Sequence, residues 1–181
     1  MTTVAEQAYA RHLTEFKLPR YDEIPKIALY MDQLLSYLEE TLQPLYQEGD
    51  KIITSSMVNN YVKQGILSAA TSKKYNRHHI AYLIVICTLK QTFSIAEIEH
   101  LITSQINSFE TDIAYDYFCS SFEEALHGLF SEKSSRPKGL IGTHNEGDFE
   151  RDLVLASTAA VAYTLYIKAS ITIIEKQRAN S

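Results

Sequence analysis

Along most of this chain the apolar residues recur three and four positions apart, the spacing of a helix with one buried face. Tyr9, Leu13 and Phe16 share one side of a short helix over 3–16, which LPRYDEIP, with Pro19 and Pro25, brings to an end. From Ile27 to Leu45 the apolar positions are Met31, Leu34, Leu35, Leu38, Leu42 and Leu45. They predict a second helix, with Pro25 in its first turn, where a missing N–H costs nothing. QEGD at 47–50 is a polar break. Thr54 is a good N-cap for a third helix running to Gln64, and Gly65 suits the position just past its end. Inside it, Met57, Val58, Tyr61 and Val62 form apolar pairs, while Ser55, Ser56, Asn59, Asn60 and Lys63 fill the positions between. The first set faces a core and the second faces out.

Asn76 caps a helix over 77–91 that is apolar nearly all round, with Ile80, Leu83, Ile84, Val85, Ile86 and Leu89, so it belongs at the centre. Ser94 and Glu97 form the capping box of the next helix, whose core side is Ile95, Ile98, Leu101, Ile102 and Ile106. Over 109–130 apolar residues return about every four positions, at Ile113/Ala114, Tyr117/Phe118, Phe122, Ala125/Leu126 and Leu129/Phe130. A loop at 131–147 follows, with Arg136, Pro137, Gly139, Gly142 and Gly147. Asp148 caps a last helix running to about Arg178, roughly 45 Å long at 1.5 Å per residue. Its acidic first turn and basic last turn complement the helix dipole. SAATSKKY at 68–75 leaves room for a small β-wing. The fold class is therefore all-α, with at most a minimal wing.

Composition narrows the class. Hydrophobic residues are 45% and charged residues 22% of 181, which makes a globular chain of one ordinary domain or two small ones sharing a core. Cys87 and Cys119 lie in apolar or aromatic runs without a CxxC partner, as expected of two reduced, buried thiols. The N-terminal MTTVAEQAYARH lacks the basic-then-apolar order of a signal peptide, so the expected location is the cytoplasm. Residues 153–174 carry one charge, Lys168, and have the length of a membrane span. Nearly half of them are Ala, Ser and Thr, a composition that favours a helix packed closely on other helices, with no membrane partner, over the weaker reading of a membrane-tethered regulator held through 153–174.

Charge changes the picture most. The net charge of −5 divides into +6 over residues 51–96, which hold no Asp or Glu, and −11 elsewhere. The six cations are Lys51, Lys63, Lys73, Lys74, Arg77 and Lys90. An acid-free cationic segment in an acidic chain is the expected footprint of phosphate binding. The helix over 54–64 is its candidate reading helix. Asn59 and Asn60 can bond adenine bidentately, and Ser55 and Ser56 can bond bases or phosphates. Tyr61 and Lys63 would position the helix on phosphates, although the apolar pairing also gives Tyr61 to the core. Lys73, Lys74 and Arg77 lie just beyond, where they could clasp the adjacent backbone. The plainer reading is a solvated polar face on an ordinary bundle helix.

TSSMVNNYVKQGIL followed by KKYNRHHIAYLIVICTLKQTFSIAEIEHLI resembles the MerR-like winged helix-turn-helix regulators. The counterparts of their reading helix, wing and following turn are Tyr61, Gly65-Ile66-Leu67, Lys74-Tyr75 and Phe93-Ser94-Ile95-Ala96-Glu97-Ile98. A wider stretch, residues 18–102 with LPRYDEIPKIALYMDQLLSYLE, resembles a bacterial family catalogued as domain of unknown function 1836. These resemblances imply a MerR-like DNA-binding fold and a regulator, with no known ligand. Asn59 stands where MerR regulators usually carry Arg, and the wing is short, so the contacts would differ from theirs.

The resulting expectation has three regions: an N-terminal helix and linker at 1–22, a MerR-like unit at 23–104 and a helical dimerisation or effector region at 105–181. Double-stranded DNA is the expected partner, met by Thr54, Ser55, Ser56, Asn59, Asn60, Tyr61, Lys63, Lys73, Lys74, Tyr75 and Arg77. A homodimer through 105–178 would match a palindromic operator. The aromatic run at 109–130 reads as core and dimer interface, or as the lining of a pocket for a small apolar effector. No catalytic set, metal site or cofactor motif stands out. His78-His79 are adjacent and poorly placed to chelate, and suit a surface or phosphate-facing role. Asp112 and Asp116 share a helix face and read as a solvated edge. His127 just before the 131–147 loop and His144 near its end could line a pocket. The alternative of a different class is a helical protein–protein adaptor of MerR-like shape that does not bind DNA.

Overall fold

The computed structural model describes residues 12–47, 49–130 and 148–179, and among them the fold is all-α with one minimal two-stranded sheet. The elements are β1 (Leu29–Tyr30), α1 (Met31–Leu42) with a 3-10 turn at Gln43–Leu45, α2 (Ser55–Lys63) and β2 (Lys74–Tyr75). They continue with α3 (Arg77–Leu89), α4 (Ile95–Ser108), α5 (Thr111–Phe130) and α6 (Asp148–Ala179). The first residues of the helix expected over 3–16, with Tyr9, and the loop 131–147, with His144, lie outside the described residues. Leu13 and Phe16 are buried as expected.

The helix expected from Ile27 begins instead at Met31. Leu29 and Tyr30 are drawn into an antiparallel pair with Tyr75 and Lys74. The pairing residues come from 46 and 44 positions downstream, so tertiary structure overrides a local helical pattern here. Gln33 then accepts a hydrogen bond from the Tyr30 N–H at 3.0 Å and closes the new start. Leu34, Leu38, Leu42 and Leu45 form its buried stripe.

The wing itself is a two-residue turn. The Thr71 N–H donates to the Lys74 carbonyl at 3.1 Å, and the Lys74 N–H to the Thr71 carbonyl at 2.9 Å. Ser72 and Lys73 have φ of +52° and +62°, the type I′ geometry whose twist suits a hairpin.

α3 is central, as its all-round apolar pattern requires. Ile80, Ala81, Leu83, Ile84, Ile86, Cys87 and Leu89 are all buried, and α1, α4, α5 and α6 pack around it. Asn76 caps it by accepting from the His79 N–H at 3.3 Å. Ser94 and Glu97 form their capping box at the start of α4, with the Ser94 N–H donating to Glu97 Oε2 at 2.8 Å. Of the core side expected for α4, Ile98 is buried, while Ile106 is 40% exposed at the open end of the helix. Ile113, expected in the core of α5, is 59% exposed, because it lies in the first turn, outside the packed face of Tyr115, Phe118, Phe122 and Leu126.

Residues 18–21, expected to be a linker, are tied to α5. Arg20 forms a two-pronged ion pair with Glu123, at 2.8 and 2.7 Å, and Glu123 Oε1 also accepts the Leu18 N–H at 3.0 Å. The pairing with Glu123 raises the Arg20 pKa. Asp116 accepts the Tyr21 N–H at 2.8 Å, so it is part of this clamp and not a solvated edge. The Tyr115 hydroxyl donates to the Pro19 carbonyl at 2.8 Å.

α6 packs most closely against α5 through small residues, as its composition predicts: Ser157, Thr158, Val161, Ala162 and Ala169 are buried. Ser157 and Thr158 donate to the Val154 carbonyl, so their hydroxyls are satisfied within the helix. The opposite side is less covered than a core helix should be. Tyr163, Tyr166, Ile167, Ile171 and Ile174 are between 44 and 55% exposed. The stretch Phe149–Glu175 is long and apolar enough to cross a membrane by length and composition, with a mean hydropathy of 1.4.

Candidate nucleic-acid interface

α2 is closed at both ends by its own sequence. The Thr54 hydroxyl oxygen accepts the Met57 N–H at 3.2 Å. At the other end the Ile66 N–H reaches back to the Tyr61 carbonyl at 3.0 Å and the Gly65 N–H to the Val62 carbonyl at 3.1 Å. Gly65 has φ of +81°, so this is the paired-bond ending that a left-handed glycine permits. With the ends closed, the two faces separate as the sequence pattern requires. Val58 and Tyr61 are buried, and Ser55, Ser56, Asn59, Asn60 and Lys63 are exposed.

The segment around α2 is held against α3 in antiparallel order. Near its start, Lys90 donates to the Ile52 carbonyl, lies 3.9 Å from Met57 Sδ, and sits over the Tyr46 ring. Near its end, Ser68 Oγ is 3.1 Å from His79 Nε2. Burial pushes the Tyr61 phenol up to about 12 and the Cys87 thiol up to about 12. Cys87 and Cys119 are both free and buried, as expected.

The expected site residues divide into three groups. Ser55, Ser56, Asn59, Asn60, Lys63 and Lys73 are exposed, and Thr54 is half-buried with its hydroxyl capping α2. Lys74 is half-buried, with its ammonium 4.8 Å from the centre of the Tyr30 ring. Tyr61, Tyr75 and Arg77 are corrections. Tyr61 and Tyr75 are 4 and 6% exposed, so their rings serve the core and cannot lie on an external phosphate. Tyr75 instead meets the edge of the buried His79 ring, 5.6 Å away. Arg77 donates to the Ile24 carbonyl at 3.2 and 3.0 Å and lies over the Tyr21 ring. It holds the turn at 22–24 in place. The hydrogen-bond acceptors of Arg77 and Lys90 are neutral, and neither forms an ion pair among the described residues.

His78 and His79 part company. His79 is buried between Asn76 and Ser68, which excludes the surface role expected for it, while His78 lies along the Tyr82 ring at 4.5 Å. Burial lowers the His78 pKa, and His79 beside it adds to the effect. Among the described residues no cluster of His, Cys, Asp and Glu could hold a metal ion.

The aromatic run of α5 does help to line a cavity. Tyr115 and Phe118 meet Tyr82 and Val85 of α3, Ile102 of α4 and Val154 of α6 around a space of about 60 Å³. Pockets for drug-sized ligands are roughly 300–1,000 Å³, so this one admits only a very small molecule. Gln105 also lines it, and its buried Oε1 has no hydrogen-bond partner among the described residues.

No curated protein and no solved structure matches the chain. A family model does match, over residues 19–121, from the clamp at Pro19 through α1–α4 to the middle of α5. The chain thus belongs to the family described as Domain of unknown function (DUF1836).

Proposed function

We propose that this protein is a sequence-specific DNA-binding transcriptional regulator of bacterial type, with α2 entering the major groove. One observation carries the reading. α2 offers Ser55, Ser56, Asn59, Asn60 and Lys63 on a single exposed face, inside a 51–96 segment that has six cations and no carboxylate side chain. The order of α1, α2, a tight wing and two further helices supports a MerR-like helix-turn-helix arrangement. In it, Asn59 and Asn60 would read bases and Lys63 and Lys73 would meet phosphates. Fluorescence anisotropy with genomic duplex fragments at about 50 mM salt tests this. Saturable binding that Asn59→Ala makes less selective is the expected result, and no saturable binding refutes it.

A second copy completes the proposal. The exposed stripe of α6, made of Tyr163, Tyr166, Ile167, Ile171 and Ile174, carries no charge and would pair with the same stripe of another protomer to match a palindromic operator. Sedimentation should give a dimer that Ile167→Glu with Ile171→Glu dissociates. A wild-type monomer that binds lipid vesicles would assign the stripe to a membrane. A small apolar effector, if one acts, would enter the cavity between α3 and α6.

The adaptor reading has one observation in its favour. Lys74, Arg77 and Lys90, three of the six cations, already have partners inside the chain. Failure to bind DNA together with capture of an acidic protein partner on the α2 face would support it.

A further inference from the structure

Lys168 is the only charged residue between Asp152 and Glu175. The fold brings it from the middle of α6 to the carboxyl end of α3. An open cleft of about 310 Å³ lies there, lined by Tyr46, Asp50, Lys51, Lys90, Gln91 and Lys168. Three ammonium groups from three separate segments therefore share one cleft with a single carboxylate among the described residues. Asp50 is itself engaged, accepting the Gln47 N–H at 3.2 Å.

The hydrogen bonds say what is missing. The Lys168 ammonium donates to Gln91 Oε1 at 3.4 Å, and an ammonium has no acceptor to offer, so this contact fixes which end of the amide faces it. The other end, Gln91 Nε2, is a buried donor with no partner among the described residues. Lys90 is spent on the carbonyls of Lys51 and Ile52, and it forms no ion pair among the described residues. Lys51 is exposed. Like charges gathered in one cleft repel each other, the more so as water is displaced. A group with negative charge and several acceptor oxygens answers the excess positive charge of the cleft.

We propose that this cleft binds a phosphate group, held by the ammonium groups of Lys51 and Lys168. The phosphate can come from a DNA backbone or from a free phosphate compound. The first source rests on the DNA-binding reading above, and the second does not. In either case α6 contributes a ligand-binding residue to the cationic segment, so the long helix does more than pack.

The experiment compares the full chain with Lys168→Gln, Lys168→Arg and the exposed-site variant Lys51→Gln, after circular dichroism has checked that each folds. One arm follows melting temperature as inorganic phosphate is titrated against chloride at matched ionic strength. The other follows the salt dependence of binding to duplex DNA. Wild type and Lys168→Arg should show saturable stabilisation by phosphate, and both Gln variants should lose at least about tenfold in affinity, the order expected for one charge-assisted contact. A fall of about 0.9 in the DNA salt slope of Lys168→Gln assigns the phosphate to the backbone. A lost phosphate response with an unchanged slope assigns it to a free compound. If the wild type fails to bind DNA yet responds to phosphate, the regulator reading fails and the site stands. The same phosphate response in all four proteins, or none in the wild type with an unchanged DNA slope, overturns the proposal.

Discussion

Replacing Lys73 by glycine separates the two demands on the wing, its backbone and its charge. Lys73 holds φ of +62° in the turn between Thr71 and Lys74. A left-handed conformation costs a residue with a Cβ about 1–2 kcal/mol, which glycine avoids. Glycine gives back about 0.5–1 kcal/mol through the greater freedom of its unfolded chain. The net expectation for Lys73→Gly is a gain of about 0.5–1 kcal/mol, worth roughly 2 °C of melting temperature in a chain of this size. The exposed ammonium is lost in the same step. If it meets a phosphate, the DNA salt slope falls by about 0.9. Between 50 and 200 mM salt the wild type then loses about 3.5 times more affinity than the variant. Scanning calorimetry and anisotropy at those two salt concentrations read both quantities from one variant. A melting temperature below that of the wild type refutes the turn geometry as the source of strain. A more stable protein with an unchanged slope removes Lys73 from the interface while leaving the turn argument intact.

Gly65→Ala should destabilise by about 1 kcal/mol in urea denaturation, because φ is +81° there and the space around an added Cβ is open. Backbone strain is thus the whole effect, and Gly65→Asn should recover part of the loss. Glu123→Ala should cost about 2–3 kcal/mol, since it strands both the Arg20 guanidinium and the Leu18 N–H, and a loss below 0.5 kcal/mol in the same assay would show that the clamp at 18–21 is dispensable. His78 binds its proton less readily when folded, so the unfolded chain protonates first as pH falls below the ordinary imidazole value of 6.5. Its contribution to stability is constant above that pH and decreases below it. His78→Gln should therefore narrow the stability difference between pH 7.5 and pH 5.5, and an unchanged difference would assign that acid sensitivity to other groups.

The parts of this molecule legible in the sequence are those built from neighbours. Thr54 caps α2 through a bond three residues away, Gly65 ends it within four, and Ser94 with Glu97 starts α4 across a single turn. Helical spacing separates Asn59 and Asn60 from Val58 and Tyr61 for the same reason, because the period of the backbone assigns each residue its side. The acid-free run of six cations is likewise a property of the sequence alone.

What those cations meet is decided by the tertiary structure. Arg77 looks like a free phosphate ligand until the fold places the Ile24 carbonyl, 53 residues away, within 3.0 Å of it. Tyr75 looks like part of an exposed wing until β1 pairs with it and His79 covers its ring. Lys168 looks like an isolated charge on an apolar helix until it arrives beside Gln91, 77 residues earlier in the chain. The physical reason is common to all three. A cap or a helix face depends on bonds within one or two turns, which adjacent residues specify. The partner of a long cationic side chain depends on where separate helices come to rest, and that is set by the packing of the whole core around α3.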